Sequence, residues 1–248
     1  EVLEDESWSS NIKIKQTLDT LTSYPNEFWK YPVIIYYICY RKDKNFEDKF
    51  VRFLNKLLAE LMTKYILIPT INAVKGDILK LNSAIVISDI PKFDFKELDQ
   101  AQLEAGIQNP HRNVVRMLLK TLAYKHQDSL LPSKWEIEHI FPQKWQTNYF
   151  IDESDHKIRE KIEHIGNKLP FEKKLNIIAG NGYFAKKKKE YADSKIEITK
   201  FMGLSEIQEW NLESISKRDI RISDSIIAIL KKWNKEYSVI TKEIVSNK

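Results

Sequence analysis

The chain has 248 residues, 42% of them apolar and 30% charged, with a formal net charge of +5; this is the balance of a globular protein with a sizeable core, and too mild to mark the whole surface for nucleic acid. The single cysteine, Cys39, excludes an internal disulfide and a cysteine-built zinc site and fits a reducing, cytoplasmic setting. No run approaches the roughly 18 consecutive apolar residues of a membrane span, so no membrane partner is expected, and a chain that opens "EVLEDESWSS" with no initiator methionine is expected to be part of something longer.

From about residue 10 to residue 127 the pattern is helical. "FEDKFVRFLNKLLAELMTKYI" (46–66) and "HRNVVRMLLKTLAYKH" (111–126) repeat apolar residues at three- and four-residue steps, the signature of amphipathic helices. Breaks fall at Tyr24-Pro25, near Pro69, at Ser88 to Pro91 and at Asn109-Pro110, because proline disfavours a helical residue before it. The aromatic stretch "PNEFWKYPVIIYYICY" has no basic companions and reads as helical core, not as a base-stacking surface. His111 and His126 fall with this region and are taken as structural.

At "SLLPSKWEIEHIFPQ" the texture changes: Trp135, Ile137 and Ile140 alternate with charged neighbours, which predicts a short strand. "HIGNKLPF" (164–171) is a second strand candidate, with "DESDHKIREKIE" (152–163) a short helix or structured loop between them. "EKKLNII" suits one or two helical turns, "AGNG" breaks them, and "YFAKKKKEYADSK" resumes a helix. A last helical region runs from Leu204 to Asn234 and is expected to bury Ile220, Ile226, Ile227, Leu230 and Trp233 on one broad face. The expected organisation is mainly α: a helical region over 1–130, a small two-strand-and-helix module over 131–200, and a C-terminal helical region over 201–248 that packs back on the rest.

The chemistry concentrates at Glu138 and His139. Adjacent side chains in mid-strand point to opposite faces, but Pro142 ends the strand just beyond them, and at such a junction twist can aim both toward one point. A carboxylate beside an imidazole suits a divalent cation and a water activated by the histidine. Asn167, ahead of the second strand, is placed to brace the His139 loop by amide hydrogen bonds; Asn176, nine residues later, is placed to offer an oxygen to the metal. Taken alone, a Glu-His pair is more often a hydrogen-bonded structural histidine than a metal site, and it is the ordered set that points to catalysis. His164, three residues before Asn167, is expected to be structural.

"EHIFPQ", "HIGNKLPF" and "KLNIIAGNGYFAKKKKEY" together resemble the His-Asn-His (HNH) nucleases of ββα-metal fold, in particular the C-terminal domain of GmrSD-type modification-dependent restriction endonucleases. The match covers about residues 135–195, and "EWNLESISKRDI" is similar to that family's C-terminal Trp and Arg helix. The resemblance implies Glu138 as a metal ligand, His139 as general base, Asn167 as the bracing asparagine and Asn176 as the last motif position, with Mg²⁺ or Mn²⁺ as the hard cation suited to such donors. It implies a metal-dependent DNA endonuclease of a restriction or anti-phage system, with an upstream nucleotide-hydrolysing domain outside this chain. Because one ββα site cuts one strand at a time, a homodimer is one route to double-strand breaks. Pro170 departs from the family pattern and predicts an edge strand or a bulge.

Between Lys168 and Lys189 stand seven lysines against one acid, Glu172. Lys173, Lys174, Lys186, Lys187, Lys188 and Lys189, with Asn181 between them, are therefore expected to meet DNA phosphates. Two rival readings keep the sequence and change the function: a DNA-binding module with a degenerate nuclease site, and a helical partner-interaction domain, which a large exposed apolar patch on residues 1–130 would favour.

Overall fold

The computed structural model describes residues 2–3, 8, 10–70, 72–95, 99–145 and 154–246, with side chains to residue 239. Among these residues it is mainly α, with eleven α-helices and one two-stranded antiparallel sheet. The chain divides into two compact units: 1–103, 111–117 and 227–248 form the first, and 104–110 with 118–226 form the second. The boundaries expected at 130/131 and 200/201 both fall inside the second unit.

The first unit holds α1 (Ile12–Leu21), α2 (Lys30–Tyr40), α3 (Phe46–Leu67) and α4 (Lys75–Ile87). The ends of α1, α3 and α4 fall just short of proline breaks in the sequence, whereas α2 ends at Tyr40 without one. Helix α3 is the central element, with Phe50, Phe53, Leu54, Leu57, Leu58, Leu61 and Met62 all buried; Glu47 and Asp48 in its first turn and Lys64 in its last complement the helix dipole. Tyr36 stacks on Phe53 at 4.1 Å between ring centroids, so the aromatic stretch is core at Trp29, Val33 and Tyr36, while Phe28, Tyr37 and Tyr40 are only half-buried. Helices α2 and α4 nonetheless leave Tyr31, Ile38, Leu79, Val86 and Ile87 exposed.

Helices α5 (Gln100–Gln108) and α6 (Arg112–His126) lead to the second unit's hairpin, β1 (Trp135–His139) and β2 (Lys168–Glu172). Between the strands lies α7 (Asp155–Ile162), whose start is capped by the Ser154 side chain accepting from the Lys157 amide; the first residues of the segment read as helix or loop, 152 and 153, lie outside the described residues. Then follow α8 (Lys173–Ala179), α9 (Phe184–Ala192), α10 (Glu197–Leu204) and α11 (Leu212–Ser246).

The strands pair without a bulge, Glu138 opposite Leu169 and Ile137 opposite Pro170. The Ile140 amide donates to the Asn167 carbonyl, and the Lys173 amide to the Lys134 carbonyl, which fixes the alternation. Ile137 and Pro170 are then a non-hydrogen-bonded pair. The missing N–H of Pro170 faces the open edge of β2, and its carbonyl, also facing away from β1, accepts from the buried Thr199 hydroxyl on α10. The edge strand expected from Pro170 is present and the alternative bulge is absent.

Two expectations change. The second strand is shorter than read, because Ile165–Asn167 close a 3-10 turn before β2 begins. The buried face of α11 within the second unit is Ile215, Asp219, Ile222, Ser223 and Ile226, while Ile220 is 55% exposed; two polar residues on the inward face hid its true periodicity.

Candidate active site

His139 is the last residue of β1 and Pro142 turns the chain three residues on, the strand-to-loop junction that the pair requires. A cleft of about 310 Å³ opens there, lined by Glu138, His139, Gln143, Asn176, Ile177 and Asn181 among others. The end of β1 and helix α8 thus bring Glu138, His139 and Asn176 to one place.

Glu138 is 5% exposed. Its Oε1 accepts from Lys187 Nζ at 2.6 Å and from the Tyr191 hydroxyl at 2.6 Å. Lys187 Nζ also donates to the His139 carbonyl at 2.6 Å, so one ammonium clamps the carboxylate and the backbone of the next residue. Burial lowers the Lys187 pKa and the Glu138 carboxylate resists that fall. Burial, followed by the Glu138 charge, raises the Tyr191 hydroxyl well above its ordinary value, so Tyr191 stays a proton donor.

The His139 Nε2 lies 3.5 Å from Glu163 Oε1 and 3.4 Å from Gln143 Nε2. Burial lowers the imidazole pKa, with Lys168 adding to the fall while Glu163 and Glu138 oppose it. The ring is therefore neutral near pH 7, the form a base requires. Burial works to raise the Glu163 carboxyl, but the Lys168 ammonium at 2.9 Å and His139 outweigh it, and the net shift is downward.

Asn167 is fully buried and its amide is fully used. Oδ1 accepts from the Phe141 amide at 2.7 Å and Trp210 Nε1 at 3.2 Å, and Nδ2 donates to the Phe141 and Ile162 carbonyls, both at 3.0 Å. It braces the loop after His139 and does not face the cleft. Behind it, Asp219 accepts from the Gly166 amide at 2.7 Å, from His164 Nδ1 at 2.8 Å and from Lys161 Nζ at 2.9 Å, which gives His164 its structural role. Arg218 Nη1 donates to the Gly166 and Lys168 carbonyls at 2.7 and 2.9 Å; its burial lowers its pKa to about 10 against the pull of Asp219.

Asn176 Nδ2 donates to Glu136 Oε2 at 3.1 Å, which orients the amide and leaves its oxygen as the atom that could meet a cation. For Glu138, with both donors on Oε1, the offered oxygen is Oε2. No group of three or more His, Cys, Asp and Glu side chains with metal-binding placement occurs among the described residues. Two hard oxygens in an open cleft suit a cation that keeps several waters, as Mg²⁺ does, better than one caged by protein ligands.

The expected basic surface needs correction at Lys187, and two further positions are engaged within the fold. Lys187 is 1% exposed and bound to Glu138, so it is not a surface contact for phosphate. Lys188 Nζ donates to the Ser205 and Ile207 carbonyls, tying down the chain after α10. Asn181 exchanges hydrogen bonds with the Lys144 backbone at 2.7 and 3.4 Å and braces the loop after Pro142. Lys173, Lys174, Lys186 and Lys189 are exposed, with Lys173 3.5 Å from Glu136.

The family model for the C-terminal domain of GmrSD restriction endonucleases matches residues 92–224, a span that takes in the hairpin, the cleft, and Trp210, Arg218 and Asp219 behind it. The chain belongs to this family. No curated protein matches it. Membership places this GmrSD C-terminal domain among the restriction endonucleases, and so among nucleases with DNA as substrate. No helix of the domain, among the described residues, is long and apolar enough to cross a membrane. The residues that sequence reading missed in this GmrSD domain are Gln143, Glu163, Lys168, Tyr191 and Asp219. For Lys187 and Tyr191 a signal exists: Phe184, Lys187 and Tyr191, all buried, recur at helical spacing, and that period turns one lysine of the run inward.

Proposed function

We propose that the cleft at the end of β1 hydrolyses DNA phosphodiester bonds by an HNH-type mechanism, with His139 as general base and Glu138 and Asn176 holding Mg²⁺ or Mn²⁺. The observation that carries this reading is a neutral histidine sharing one cleft with a pinned carboxylate and an oriented amide. Such a cation, when bound, stabilises charge on the phosphoryl and leaving oxygens. With Nε2 turned to Glu163, Nδ1 of His139 is the nitrogen that takes the proton from the attacking water, a role worth about 10² to 10⁴ in rate. Lys187 holds the His139 carbonyl, and Asn167 holds the backbone of the next two residues, Ile140 and Phe141. A homodimer, or two successive nicks, completes a double-strand break, and an upstream nucleotide-hydrolysing domain gives the control point.

The test is incubation with supercoiled plasmid in Mg²⁺ or Mn²⁺, with His139→Ala and EDTA in parallel. Nicked product that needs the metal and is lost in the variant is expected. Nicking that persists in EDTA, or that a folded His139→Ala variant retains in full, overturns the reading. A second reading, a DNA-binding module with a degenerate site, draws on the Lys187 ammonium, which already neutralises Glu138; it predicts salt-sensitive DNA binding with no nicking in any metal.

A further inference from the structure

Helix α8 has a two-sided design. Leu175 packs against the core and Ala179 is buried within it, and these two, four residues apart, mark the inward face. Lys173 and Ile177 form one outward i,i+4 pair and Lys174 and Ile178 another. Ile177 and Ile178 are 68% and 57% exposed, and Ile177 lines the same cleft as His139 and Asn176. A merely solvated face has no use for two neighbouring isoleucines, which are poorer helix formers than alanine or lysine and hold apolar surface in water.

We propose that Ile177 and Ile178 are an apolar contact element for duplex DNA, lying against sugar rings and base edges in a groove while the lysines hold the flanking phosphates. The inference rests on the nuclease reading of the cleft and adds how the substrate is gripped beside it. Charge complementarity selects the occupant. Lys173 and Lys174 share the helix with the isoleucines, Lys186 and Lys189 follow on the next helix, α9, and all four are exposed, while Ile177 itself lines the cleft. DNA offers apolar surface between two rows of phosphate, and insertion of isoleucine or leucine between base steps is a recurrent way of reading a groove.

The experiment measures binding of a fluorescein-labelled 20-base-pair duplex in EDTA across a salt series, so that cleavage plays no part, with heparin as a polyanion that has no groove. Ile177→Ala/Ile178→Ala is compared with Lys173→Ala/Lys174→Ala, alanine being a good helix former at exposed positions; unchanged thermal midpoints confirm folding. The isoleucine variant is expected to bind the duplex roughly 10- to 100-fold more weakly, with the salt slope and the heparin affinity unchanged. The lysine variant is expected to lower the slope by about one per lysine that contacts a phosphate. Duplex binding indifferent to the isoleucine substitutions overturns the inference, leaving the pair to a protein partner, and so does an equal loss toward heparin. A wild-type protein that binds no duplex at low salt overturns the nuclease reading itself.

Discussion

Lys187 shows how one side chain can change meaning between sequence and structure. In the sequence it is one of four consecutive lysines; in the fold it is the counter-ion of Glu138. Removing one partner of a buried ion pair leaves an uncompensated charge, at a cost of about 3–5 kcal/mol. Lys187→Met is accordingly expected to lower unfolding free energy by that order, and Glu138→Gln/Lys187→Met to recover most of it, measured by urea denaturation; a double-variant loss equal to the sum of the two single-variant losses would show that the two groups are uncoupled. Asn167 carries a different burden. Asn167→Ala strands the Phe141 amide and carbonyl, the Trp210 indole N–H and the Ile162 carbonyl, at about 1–3 kcal/mol for each buried group left unpaired. It is expected to reduce nicking while duplex affinity in EDTA stays unchanged, since Asn167 meets no DNA. Asn167 was legible because Gly-Asn ahead of a strand needs a reason, and Lys187 was not, because charge in a run draws attention away from the helical face on which each residue lies.

Among the elements, the helices of the first unit were legible from apolar period and proline breaks, since both act locally. The hairpin was legible as two strands, yet the start of β2 was not, because the turn over Ile165–Asn167 depends on α11, more than 45 residues later in the chain. The decisive position is Gly166. A Cβ there would lie 2.3 Å from the Ile215 carbonyl oxygen and 2.6 Å from Asp219 Oδ1, contacts with helix backbone and a buried, fully bonded carboxylate that have little freedom to yield. Gly166→Ala must therefore push α11 off the turn, break the Asp219 and Arg218 hydrogen bonds, and loosen the carbonyl of Asn167 that pairs with Ile140. The expected loss exceeds about 2 kcal/mol, with cleavage of the 155–172 segment by a protease at a concentration that spares the wild type. A variant as resistant as wild type would mean that the helix moves aside freely, and that the turn does not need it.

Over the whole molecule, the charge count overstates what DNA can meet. Seven lysines lie between residues 168 and 189, but Lys168 is 4% exposed and bonded to Glu163, Lys187 is buried against Glu138, and Lys188 is bound to two carbonyls. Four remain exposed: Lys173, Lys174, Lys186 and Lys189. Each phosphate neutralised on B-DNA contributes about 0.9 to the slope of log affinity against log salt. Four contacts predict a slope of roughly −3 to −4, where all seven would give about −6. The difference is readable from duplex binding between 50 and 200 mM salt (about the physiological range) in EDTA. Substituting Lys186 and Lys189 together is expected to bring the slope close to −2, whereas Lys187→Met leaves it unchanged in molecules that remain folded. A slope near −6 in the wild type would require cations from elsewhere on the surface, and a drop of about one unit in Lys187→Met would mean that the buried lysine swings out to meet DNA and releases Glu138 as it does so.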